Sequence, residues 1–122
     1  MIDGRFEEET NRLFLEIGLV TADAEVFPVE ALLDTGFTGW LAVNLQDLES
    51  LNWEIIDDKQ WMRTAQGEAL FNVGVGTVQI DGQEFNVPVV AGDEIPEIII
   101  GMEWLKTKRL AVDLVAGILT LG

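Results

Sequence analysis

Turn signals interrupt this sequence at short intervals, and the stretches between them alternate or run apolar for only a few residues. Arg12–Thr21, RLFLEIGLVT, puts Phe14, Glu16, Gly18 and Val20 on one face and Leu13, Leu15, Ile17 and Leu19 on the other, the period of a strand. ADAE then reads as a turn and VFPVEALLD as a second strand, with Pro28 at an edge or bulge. WLAV is a third strand. WEIIDDKQWMRTAQGEALFNVGVGTVQI predicts long strands around a turn at Ala65-Gln66-Gly67. VQIDGQEFNV predicts a hairpin on Asp81-Gly82, and Asp3-Gly4 reads as another simple turn. EIPEIIIGMEWLKTK reads as a buried strand, a glycine and a short helical turn, and RLAVDLVAGILTL as two closing strands. NLQDLESLNW has helical spacing, with Asn44 as its N-cap. The expected class is all-β: a closed, mostly antiparallel barrel or sandwich with one or two short helices.

The chain has 122 residues and no low-complexity linker, which predicts one domain over 1–122. Its formal charge of -15 argues against nucleic acid and anionic membrane surfaces as partners, since both need a basic footprint. With no Cys and no His, disulfides, thiol nucleophiles, Ser-His triads and His-ligated metals are excluded. Acid–base chemistry must then rest on carboxylates or Lys. The first residues, MIDGRFEEETNR, lack the basic and apolar regions of a signal peptide, and no apolar run could span a bilayer, so a cytoplasmic protein is expected. Asp57-Asp58 and Asp93-Glu94 read as solvated loop acids, and no helix follows Gly74 and Gly76 to hold a phosphate. No metal or other cofactor is called for. Of the four tryptophans, Trp40, Trp53 and Trp104 read as core or interface, and Trp61 as a candidate cleft wall.

The chemistry concentrates in ALLDTGFTGWLAV, where an apolar strand runs into Asp34-Thr35-Gly36. Gly36 lets its N–H approach a carboxylate or a substrate backbone, and the Thr35 hydroxyl can lock the loop. One carboxylate does little alone. Two that share a proton form an acid–base pair, one activating a water while the other protonates a carbonyl oxygen. On the tripeptide alone, turn and active site stand level.

Three features in order resemble the retropepsin-like aspartic proteases, in their bacterial single-domain branch: ALLDTG, then MRTAQGEALF, then EIIIGMEWLKTKRLAVDL. The resemblance spans about Arg12 to Leu121. It implies half of a pepsin, a barrel-like domain working as a homodimer on a peptide or protein substrate. Each copy would give one catalytic Asp34 to a dyad on the two-fold axis. Thr35 would hydrogen-bond across the dyad and Gly36 would line the substrate backbone. The hairpin at Ala65, Gln66 and Gly67 would be a flap closing over the peptide, with Trp61 beside it. Ile100 and Gly101 would support the catalytic loop. Two places depart from the retroviral pattern. Phe37 stands where those members carry a small residue, and Thr38 and Met102 stand where they often carry an Asp–Arg pair.

A second reading is a catalytically silent dimeric or peptide-binding module that keeps the same fold. Carboxylate-based glycoside hydrolysis within one chain is a weaker third, because no second strand-end carboxylate stands out to pair with Asp34.

Overall fold

The computed structural model describes residues 1–64 and 67–122. In chain order the elements are β1 (Ile2–Glu7), β2 (Arg12–Val20), β3 (Val26–Leu33), β4 (Leu41–Asn44), α1 (Leu45–Ser50), β5 (Glu54–Thr64), β6 (Gly67–Ile80), β7 (Gln83–Gly92), β8 (Ile99–Ile100), a 3-10 turn (Met102–Lys106), β9 (Leu110–Asp113) and β10 (Ile118–Leu121).

Strand β6 pairs with β7 on one side and, through Thr77–Gln79, with Gly18–Val20 of β2 on the other. Hydrogen-bonded neighbours therefore run β2-β3-β8-β4-β7-β6 and return to β2. The long hairpin of β5 and β6 extends from this ring, while β1, β10 and β9 continue the sheet from β2. Most pairings are antiparallel, as expected. Two are parallel, β3 with β8 and β4 with β7, and they are joined by the antiparallel pairing of β4 with β8.

Inside the ring, the two-residue period delivers Leu15, Ile17 and Leu19 from β2 and Val78 and Ile80 from β6 to one buried cluster. Trp104, at 1% exposure, is its largest fully buried side chain. The chain closes this core with α1, which buries Leu48 and is capped by Asn44, whose side chain accepts the Gln46 N–H (2.9 Å). The indole N–H of Trp53 donates to the Val20 carbonyl (2.7 Å), so this polar handle is satisfied inside the core. None of the helices among the described residues is long and apolar enough to cross a membrane.

The Asp81-Gly82 turn forms as its type requires, both residues at positive φ (54° and 79°). Pro28 lies opposite Gly18 on the stretch of β3 that pairs with β2 alone, since only Leu32 and Leu33 reach β8. A missing N–H costs no ladder bond on such an edge. Asp3-Gly4 is not a turn. It lies within β1, Asp3 opposite Thr120 and Gly4 opposite Leu15. A Cβ on Gly4 would meet the Leu119 side chain and come within 2.7 Å of the Phe14 carbonyl oxygen, so this glycine serves close packing rather than chain reversal. The strand expected before Gly101 is also shorter than its apolar run, covering Ile99–Ile100 only.

Candidate active site

Asp34 stands just past the end of β3 because the ladder with β8 stops there. The Leu32 N–H donates to the Ile98 carbonyl (2.8 Å) and the Asp34 N–H to the Ile100 carbonyl (3.0 Å). The chain then folds back on itself. The Phe37 N–H donates to the Asp34 carbonyl (3.1 Å), and the Gly36 N–H to Asp34 Oδ1 (2.8 Å). One carboxylate oxygen is thus aimed by the loop's own backbone. The other, Oδ2, takes no hydrogen bond among the described residues. Asp34 is half-buried, and Thr35 and Gly36 are exposed.

The loop is clamped from the far end of the chain. The Gly101 N–H donates to the Trp40 carbonyl (3.2 Å), the Met102 N–H to the Phe37 carbonyl (2.9 Å) and the Glu103 N–H to the Gly39 carbonyl (3.3 Å). Trp104 adds its indole N–H to the Trp40 carbonyl (2.9 Å) and meets the Trp40 ring edge-on at 4.9 Å. The structure thus brings together Asp34, Thr35, Gly36, Ile100 and Gly101. It adds Phe37, Gly39, Trp40 and Trp104, which the sequence did not mark as loop supports. The available signal was Gly39. A second glycine close behind the first leaves room for another backbone to approach, and the Phe37 ring lies over that space.

Trp61 and Gly67 belong to the separate hairpin of β5 and β6, where Trp61 sits opposite Leu70 and Thr64 opposite Gly67. Trp61 is 65% exposed, which rules out a core role for it. Ala65 and Gln66 lie outside the described residues. Gly67 has φ +115°, a conformation that favours glycine. The pairing of β5 with β6 shifts register twice, between Ile55 and Asp57 and between Asp57 and Gln60.

An apolar cavity of about 230 Å³ lies among β2, β3 and α1, lined by Leu19, Phe27, Val29, Leu51 and Ile98 among others, and includes no residue of the Asp34 loop. Resolved proton-affinity shifts also fall elsewhere. A hydrogen bond from Thr10, then the Arg5 and Arg12 charges, hold Glu7 below its ordinary value. Its partner Arg5 is raised, chiefly by Glu30. Asp81 is lowered by its ion pair with the terminal ammonium.

Residues 20–104 match the aspartyl protease family. Solved structures are similar as well, among them the following three. A retropepsin-like aspartic protease from Rickettsia conorii shares 18% identity at a TM-score of 0.65, covering 98% of this chain and 86% of that one. The EIAV protease complexed with the inhibitor HBY-793 shares 18% at 0.64, covering 82% and 90%. Simian foamy virus (mac) protease, a solution structure, shares 23% at 0.52, covering 80% and 99%. Among curated proteins, none matches. At these identities the likeness is one of fold, and it agrees with the mostly-β, retropepsin-like architecture expected from the sequence.

Proposed function

The chain belongs to the aspartyl protease family, and on that premise we propose that it is an aspartic endopeptidase whose acid–base pair is completed by a second copy of itself. The observation that carries this is the Asp34 loop. A single carboxylate is oriented through Oδ1 by the Gly36 N–H, takes no hydrogen bond at Oδ2 among the described residues, and is held on a backbone clamped by residues 98–104. The chain has one Asp-Thr-Gly, so one copy supplies half of a dyad.

Two such carboxylates close together cannot both ionise and hold one proton between them. The ionised one takes a proton from a water as its oxygen bonds to the peptide carbonyl carbon. The protonated one gives its proton to the carbonyl oxygen. The resulting tetrahedral diol collapses by breaking the C–N bond, with a proton passing to the leaving nitrogen. Thr35, exposed beside Asp34, is the group that would bond across to the second copy's loop. Ala65, Gln66 and Gly67 would close over a peptide lying extended in the cleft, and Trp61 would form part of its wall. Phe37 fits this reading as an internal support, because its ring is engaged against Gly39 and Gly101.

The test is cleavage of a peptide library at mildly acidic pH, with and without a statine-type mimic of the tetrahedral diol. Asp34→Asn should abolish cleavage with the fold intact, and retained cleavage would overturn the assignment. If the parent and Asp34→Asn bind the same peptides and neither cuts them, the chain is a peptide-binding module on the same fold.

A further inference from the structure

Strand β3 leaves part of one edge open. Leu32 and Asp34 send their N–H groups to the Ile98 and Ile100 carbonyls, away from β2. Alternation along an antiparallel ladder turns the backbone groups of Val26, Pro28 and Glu30 the same way. Strand β8 reaches only Leu32 and Leu33, so among the described residues these three positions meet no second strand. Pro28 suits such an edge, because the N–H it lacks would have pointed outward. What stands open is the carbonyl of all three residues and the N–H of Val26 and Glu30.

The apolar cavity lies beside this edge. The β3 side chains in its lining are Phe27 and Val29, which alternate with the open backbone positions. Leu19, Leu51 and Ile98 complete the apolar wall. An apolar cavity of about 150 Å³ already takes up benzene, so the volume of about 230 Å³ here has room for one aromatic or branched side chain. The polar groups in the lining are Asp47 and Ser50 of α1, and both are exposed. Asp47 makes no ion pair among the described residues, whereas Glu30 on the edge is already held by Arg5 (2.6 Å).

We propose that the open edge of β3 and this cavity together form a docking site for a basic, extended peptide, separate from the Asp34 loop. The peptide adds a strand beside Val26 to Glu30 through main-chain hydrogen bonds. Its residue level with Val29 points to the same side of the sheet as Val29 and enters the cavity. Peptide residues two places either way point to that side as well, and a lysine there is the charge that meets Asp47. The open edge asks for an extended backbone, the cavity for one apolar side chain, and Asp47 for a cation. The chain's charge of -15 draws a partner of the same sign from a distance. The site stands without the protease reading.

The probe is a capped, fluorescein-labelled pentapeptide with phenylalanine at its centre, valine on either side and lysine at both ends. Its binding to the Asp34→Asn chain, which should not cut it, is read by fluorescence anisotropy. In that background Ser50→Trp plugs the cavity mouth and Asp47→Lys reverses its charge. Each should weaken binding about tenfold or more, and both positions are exposed, so the fold should hold. A probe with glutamate in place of both lysines should bind Asp47→Lys better than it binds the Asp47 chain. Only one of the two alternate sets of peptide N–H groups faces β3. Methylating that set should weaken binding about tenfold, and methylating the other should leave it nearly unchanged. No binding at millimolar probe, unchanged binding to Ser50→Trp, a charge swap that recovers nothing, or two methylated probes that bind equally overturns the inference. Benzylammonium binding where the probe does not makes this a small-amine site and also overturns it. So does displacement of the probe by a statine-type mimic, which moves it to the Asp34 cleft. Probe binding on these terms without peptide cleavage by the parent leaves the β3 site standing and removes the protease reading. Cleavage that needs Asp34, with no probe binding, does the reverse.

Discussion

Gly101 lies against Phe37 so closely that a Cβ added there would sit 2.5 Å from the Phe37 carbonyl oxygen and 2.7 Å from its ring, with the Gly39 carbonyl oxygen also in contact. The backbone of Gly101 is extended (φ -114°), so space and not conformation demands glycine. Two of these neighbours are backbone atoms and cannot swing away. Gly101→Ala should therefore destabilise by about 1–3 kcal/mol, the usual cost of overpacking, read from urea denaturation. The displaced segment is the one that clamps the Asp34 loop, so activity should fall further than stability alone explains. A variant with parental stability would show that the loop and the 98–104 segment can slide apart.

Trp104 serves packing and polar roles at once. Its indole N–H shares the Trp40 carbonyl with the Gly101 N–H, so losing the indole does not orphan that oxygen. Trp104→Phe should cost about 1–2 kcal/mol and Trp104→Ala about 3–5 kcal/mol, the latter from the cavity left in the core. Denaturant midpoints at constant m-value would separate the two.

Glu7 offers a pH test. Its carboxyl is held low first by the Thr10 hydroxyl and then by the Arg5 and Arg12 charges. A carboxyl lowered on folding stabilises the fold above its unfolded value, and that contribution is lost as pH falls through the lowered folded value. Thr10→Val should move the Glu7 titration up toward its ordinary position in carbon-detected NMR. The variant should be less stable than the parent at neutral pH and converge with it in acid. A Glu7 titration that stays put would assign the shift to the arginines instead.

Trp61 projects from the β5–β6 hairpin with 65% of its surface exposed. Trp61→Ala should leave stability within about 0.5 kcal/mol, as for most surface positions. If the side chain is part of a peptide cleft, KM should rise several-fold while kcat changes less. An unchanged KM would remove Trp61 from the site.

Local signals were legible and distant ones were not. Asp81-Gly82 needs only its own two residues to turn, and Asn44 needs only the next few N–H groups to cap α1. Strand β1 escaped notice because Asp3-Gly4 carries a turn signal, although Ile2, Gly4 and Phe6 alternate with Asp3, Arg5 and Glu7. It is a strand because β2 and β10 offer it edges, one from the near end of the chain and one from the last residues. The parallel pairings of β8 with β3 and of β7 with β4 left no trace either, since an apolar run does not record direction. At the site, Asp34-Thr35-Gly36 announced itself by residue type. The use of Phe37 did not, because the space it fills is made by Gly39 and Gly101, and the second joins it only on folding.

The ties that hold the Asp34 loop come from Ile98 to Trp104, near the opposite end of the chain. A ribosome delivers Asp34 long before it delivers those partners, and contacts so far apart in sequence close late. A nascent or truncated chain therefore carries the carboxylate without the scaffold that aims it. Synthesis through Trp104 is in effect the safety catch on this loop.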